Sequence, residues 1–236
     1  QPDNLAASVV DYCSGGLILN FMPSTAVPSR KRDPGSAPAV TVRWQDVLFK
    51  DKMFYYASAV DCDKLARVFT VHFTYAVRDQ LSASSLSARD FLSQRMRSYL
   101  TGIPYFFVLD INPKGVLHIH GLLNPTGKVE TDLVQKLHKV AGDERKITKL
   151  SDKWFFRSKA VDYKPADWAT DFKGVPGNFG PYGWNHYITK TALKTKKVLG
   201  VASDSEIISV SQSVTRLAKQ FHKEDVDFGR SYSPKD

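Results

Sequence analysis

PYFFVLDINPKGVLHIHGLL, residues 104–123, holds two apolar runs of strand-forming residues around a short polar break. Asn112, Pro113 and Gly115 are turn formers, so the runs pair as an antiparallel hairpin. A two-residue loop would set Asp110 opposite Leu117, and a three-residue loop of Pro113, Lys114 and Gly115 would set it opposite His118. The longer loop suits the residues better, with Pro at the first position of a type I turn and Gly in the left-handed position after it. Alternate side chains of a strand share a face, so His118 and His120 point together, while Leu117, Ile119 and Leu123 point to the other side. In the chosen register Asp110 joins the histidine face. Two imidazoles that share a face can both donate nitrogen to one cation, and a third ligand such as the Asp110 carboxylate completes a usable set.

Outward from the hairpin, ARVFTVHFTY (66–75) reads as a strand, and VTVRWQDVLF (40–49) and MFYYASAV (53–60) also look strand-like. In SARDFLSQRMRSYL a helix is expected, with Ser87 and Asp90 as a capping box and Phe91, Leu92, Met96, Tyr99 and Leu100 on one face. TDLVQKLHKVA carries Leu133, Val134, Leu137 and Val140 at helical spacing after a candidate cap at Thr131. KWFFR (153–157) reads as a fourth strand, FKGVPGNFGPYG (172–183) as a loop, a further helix begins near Trp184, and a last one covers 205–222. The order strand, helix, strand, strand, helix, strand predicts an α+β, ferredoxin-like (split βαβ) antiparallel sheet, with helices on one face and the other open to a ligand. Residues 1–40 form an extension ending in the Pro/Ser-rich basic stretch STAVPSRKRDPGSAPA, 41–223 the folded domain with its flanking elements, and 224–236 a C-terminal tail whose end, GRSYSPKD, is expected to be loose.

The 236 residues carry 33 Lys+Arg against 24 Asp+Glu, a formal charge of +9, which points to an anionic partner such as nucleic acid. Cys13 and Cys62 are too few for a disulfide framework or a cysteine zinc site. GGLILNFM (15–22) is far short of a membrane span and no signal pattern precedes it, so a soluble, cytoplasmic protein without membrane contact is expected. The chain begins at Gln1 rather than Met, which leaves a longer parent chain open. It has no Gly-x-x-x-x-Gly-Lys-Ser/Thr loop, so it gives no sign of using ATP.

GWNHYITKTALKTKK (183–197) is the second informative stretch. On one continuous helix, Tyr187, Lys190 and Lys194 share a side, and Lys196 and Lys197 extend the charge, a face suited to a phosphodiester. A phenol needs help to attack phosphorus: a metal to polarise the phosphate and ammonium groups to offset the growing charge.

FTVHFTY, HIH and YITK, in that order over residues 69–190, resemble the strand, His-hydrophobic-His and Y-x-x-K motifs of the HUH endonuclease superfamily, in its single-tyrosine replication-initiator class. The resemblance implies a Mg²⁺ or Mn²⁺ site on His118 and His120, with Asp110 as the third ligand where the family commonly has Glu, His or Gln; His72, His138 and His186 stand as alternatives. It implies Tyr187 as the nucleophile, Lys190 as a phosphate-positioning group, and Lys194, Lys196 and Lys197 on the DNA. It also implies single-stranded DNA at a replication origin as substrate, a 5′-phosphotyrosine intermediate, rolling-circle replication of a plasmid or virus, and a host helicase and polymerase as partners. Thr191 stands where a two-tyrosine enzyme has its second tyrosine.

Other readings share some of these residues. A relaxase or transposase would use the same chemistry. HFT (72–74) and HIH loosely resemble the paired His-x-Thr/Ser motifs of metal-independent 2H phosphoesterases. A non-catalytic single-strand binder would use Tyr105, Phe107 or Trp154 as stacking platforms.

Overall fold

The computed structural model describes residues 42–150, 156–166 and 180–231. It is an α+β protein built on a six-stranded, wholly antiparallel open sheet. The strands are β1 (Arg67–His72), β2 (Tyr105–Ile111), β3 (Leu117–Leu123), β4 (Phe156–Arg157), β5 (Val161–Pro165) and β6 (Ile208–Val210). Their spatial order is β4-β5-β1-β3-β2-β6. The helices are α1 (Phe49–Val60), α2 (Tyr75–Ala83), α3 (Ala88–Tyr99), α4 (Glu130–Ala141), α5 (Gly180–Thr189), α6 (Ala192–Leu199) and α7 (Gln212–Ser231).

The β2–β3 hairpin has the three-residue loop. Asn112 N–H donates to Val116 O at 3.1 Å, Gly115 N–H to Asn112 O at 2.9 Å, and Gly115 has φ +77°, a conformation that costs a residue without Cβ nothing. Asp110 is therefore paired with His118. The α3 cap is also as expected, with Ser87 Oγ accepting from Asp90 N–H at 3.1 Å.

Alternation divides the sheet into two faces. Phe69, Phe107, Ile119 and Tyr163 lie under α3 and α4, where Glu130 bonds the Tyr163 hydroxyl and pairs with Arg67 at 2.7 Å, and Ser93 bonds Ser209 at 2.7 Å. Thr70, Phe106, Asp110, His118, His120 and Leu122 form the other face, which α1, α5 and α6 cover. On this side Tyr56 lies against Phe106 with ring centroids 6.1 Å apart, and Asn185 of α5 bonds the Met53 carbonyl of α1. α7 lies on α1, with the His222 ring edge-on to Trp44 and Tyr55.

Several expectations are corrected. The stretch from Val42 to Val60 is a 3₁₀ turn (Trp44–Asp46) followed by α1, not strand. Its buried Met53, Tyr56, Ala57 and Val60 recur at helical spacing, so the period overrides the strand preference of the aromatics. The strand beside β1 is Val161–Pro165, and of KWFFR only Phe156–Arg157 is described, as the outer strand β4. α2 and β6 were not anticipated. The second face is covered rather than open. The last helix runs from Gln212 to Ser231 rather than over 205–222. The 1–40 extension and most of the 172–183 loop lie outside the described residues. Among the described residues, no helix is long and apolar enough to cross a membrane.

Candidate metal centre

Asp110, His118 and His120 converge on the covered face, and their ligand atoms all lie within 4.8 Å of one another. His118 Nε2 and His120 Nε2 are 3.0 Å apart, and Asp110 Oδ2 is 3.6 and 3.5 Å from them. Both histidines are buried and Asp110 is nearly so.

Outer contacts turn the imidazoles toward this point. Val116 O lies 3.3 Å from His118 Nδ1 and can only accept, so the proton sits on Nδ1 and the Nε2 lone pair faces inward. His120 Nδ1 is 2.8 Å from Thr70 Oγ1, which leaves its Nε2 for the same point. Two imidazole nitrogens 3.0 Å apart need a proton or a cation between them. Ligands about 2.1 Å from a common divalent ion stand about 3.0 to 3.4 Å apart at octahedral or tetrahedral angles. The donor set therefore suits a metal ion.

The protonation states agree. Burial, followed by the neighbouring His120, pushes His118 down to about 4, so it is neutral and ready to ligate at neutral pH. Burial alone would raise the Asp110 carboxyl, but hydrogen bonds from His120, Thr191 and the Ile111 N–H outweigh it and hold the carboxyl below its usual range. Asp110 Oδ1 accepts from Thr191 Oγ1 at 2.7 Å, Thr195 Oγ1 at 3.2 Å and Ile111 N–H at 2.7 Å, which leaves Oδ2 for the histidines. Thr191 and Thr195 were missed in the sequence; their signal is the i, i+4 spacing at the start of α6. Thr191 makes no side-chain cap to its own helix, so Thr191→Val is expected to leave the fold intact and weaken Mn²⁺ binding about tenfold by isothermal titration. Equal affinity for the two proteins would show that Asp110 holds its orientation unaided.

Of the alternative third ligands, His72 stacks on His118 at 5.0 Å between centroids but stands outside the cluster. His138 lies beneath the sheet on α4, edge-on to Phe156, and the His186 side chain is outside the described residues. Burial depresses His72, His118 and His138 alike. The unfolded chain binds protons at these histidines below the ordinary value of 6.5 while the folded protein resists them, down to about 4 for His118. Stability of the EDTA-treated protein is therefore expected to fall as pH drops through that window. A thermal midpoint that stays level from pH 7 to 4.5 would contradict this account.

α5 brings Tyr187 to the same face. Its ring lies edge-on to His120 at 5.6 Å, stacks on Trp184 at 5.2 Å and 19°, and carries the Lys190 ammonium 3.9 Å from its centroid. The indole Nε1–H of Trp184 donates to Gly121 O at 3.0 Å, which ties α5 to β3. The helix is not continuous, however: α5 ends at Thr189 and α6 starts at Ala192. Lys194 and Lys197 are exposed on α6, and Lys196 pairs with Asp204 at 2.7 Å. Tyr105 and Phe107 are buried and cannot serve as stacking platforms, and Trp154 is outside the described residues. Between α5 and the sheet lies a small cleft of about 130 Å³ with Thr70, His120, Asp162, Lys164, Trp184 and Tyr187 in its walls.

No family model, curated protein or solved structure matches the chain.

Proposed function

We propose that the chain is a metal-dependent, site-specific single-stranded DNA nickase and strand transferase of the HUH type, acting at a replication origin in rolling-circle replication. The observation that carries this reading is the placement of Tyr187 against His120, on the face that holds the two-histidine, one-carboxylate cluster. The sheet supports it. With α2 and β4 set aside, β1, α3, β2, β3, α4 and β5 come in this order along the chain and the strands lie in the order β5-β1-β3-β2, an arrangement that a ferredoxin-like reading expects.

His118, His120 and Asp110 would hold a Mn²⁺ or Mg²⁺ ion, and two imidazole nitrogens favour Mn²⁺ of the two. The ion, when bound, supplies Lewis-acid polarisation of a phosphoryl oxygen. Tyr187 Oη attacks the phosphorus and gives up its proton; the bond from phosphorus to the 3′ oxygen breaks, and that oxygen takes a proton. The products are a 5′-phosphotyrosine and a free 3′-OH for a polymerase. One phosphodiester replaces another, so attack by a 3′-OH reverses the step and rejoins the strand. Lys190, seated on the phenol ring, offsets charge that develops at the phosphate. The surplus of basic residues attracts the polyanionic strand. A relaxase or transposase would employ the same centre.

The test is incubation of the full chain with a random pool of single-stranded DNA, with Mn²⁺ or with EDTA, followed by a denaturing gel. Mn²⁺-dependent protein–DNA adducts are the expected product. Cleavage that proceeds in EDTA would favour a metal-independent phosphoesterase, and retention of DNA without cleavage would favour a passive binder.

A further inference from the structure

The mechanism leaves a half-buried carboxylate on this face of the sheet unused. Asp162, on β5, projects from the same sheet face as His120, and its Oδ1 is buried with no hydrogen-bond partner among the described residues. It lines the cleft that also exposes His120 and Tyr187. An ionised carboxylate only accepts, and a buried acceptor without a donor is costly, so the position calls for a ligand that brings an N–H or O–H.

The register sets the distance from the reacting centre. Asp162 pairs with Thr70 on β1, Thr70 pairs with His120 on β3, and Thr70 Oγ1 contacts His120 Nδ1 at 2.8 Å. Two strand spacings, roughly 10 Å, separate Asp162 from the metal histidine. That is the scale of a single nucleotide whose phosphate lies at the cluster.

The phosphates and deoxyriboses inside a DNA strand carry no donor, so a donor for Asp162 must come from a base. We propose that the cleft is a nucleobase subsite in which Asp162 accepts a hydrogen bond from the exocyclic amine of a base beside the scissile phosphate. Adenine N6, cytosine N4 and guanine N2 donate such bonds. Thymine has no exocyclic amine; its one donor, the ring N3–H, lies between two carbonyl oxygens, and these meet the carboxylate repulsively. The subsite therefore selects against thymine. This inference rests on the nickase reading given above.

The experiment uses the random single-stranded DNA pool with Mn²⁺. Covalent adducts are isolated under denaturing conditions, and the bases on both sides of the nick are read by sequencing for the wild type, Asp162→Asn and Asp162→Ser. Because the readout is a base ratio within each adduct pool, it does not depend on the total yield of a weakened variant. The wild type is expected to deplete thymine about tenfold at one position flanking the nick, the discrimination of one base-edge contact. Asp162→Asn should erase that depletion, since the amide also donates to carbonyls, and Asp162→Ser should weaken it. Adducts whose thymine content is the same in all three proteins would overturn the subsite and leave the nickase reading standing. Absence of any Mn²⁺-dependent adduct from the wild type would overturn both.

Discussion

Tyr187→Phe is expected to abolish covalent capture of single-stranded DNA, with adduct yield reduced by more than about a thousandfold. The substitution removes one oxygen and keeps the aromatic ring. The ring's contacts with Trp184, His120 and Lys190 survive in phenylalanine, and the indole bond from Trp184 to Gly121 O is untouched. Folding and Mn²⁺ affinity should therefore match the wild type within a few tenths of a kcal/mol. The two readouts separate the reactive group from the scaffold. A Tyr187→Phe protein that still forms Mn²⁺-dependent adducts would move the nucleophile elsewhere. One that loses Mn²⁺ binding as well would show the phenol to be part of the cluster's support.

The parts of this centre that were legible in the sequence are those set by local chemistry. The three-residue loop follows from Pro113 and Gly115, and it alone puts Asp110 opposite His118. His118 and His120 share a face because side chains alternate along a strand. The less legible parts depend on tertiary packing. Aromatic and β-branched residues in α1 mimic a strand until the burial of Met53, Tyr56, Ala57 and Val60 reveals the helical period. Lys196 reads as one more basic residue, and its pairing with Asp204 depends on how the chain folds back after α6. Thr191 was noticed for the tyrosine it is not; its bond to Asp110, 81 residues away in sequence, comes from the break between α5 and α6 that turns the start of α6 over β2. Asp162 sits on a strand that the sequence reading did not mark, and its register beside Thr70 gives it a place at the cleft.

Gly121 links the fold to the centre, and Gly121→Ala is expected to cost about 3 kcal/mol or more of stability, well over a hundredfold in the folding equilibrium. Gly121 pairs with Phe69 across β1 and β3, and the Phe69 ring lies over the glycine, where a side chain would otherwise stand. A methyl group there would meet Phe69 Cζ at 2.5 Å and the Phe106 carbonyl oxygen more closely still. Phe69 is itself 1% exposed, under α3 and α4, so its ring has no free space to enter, and the carbonyl belongs to the neighbouring strand. Relief requires β2 and β3 to separate. That motion would pull Asp110 away from His118 and shift the Gly121 carbonyl that anchors Trp184, so the metal centre and the α5 contact should fail together with the fold. Urea unfolding followed by far-UV circular dichroism reads the stability, and Mn²⁺ titration of the surviving folded fraction reads the centre. A Gly121→Ala midpoint within about 0.5 kcal/mol of the wild type would mean that the sheet yields at this crossing without cost. The packing of Phe69 on Gly121 could not then be what sets the spacing of the strands that carry the ligands.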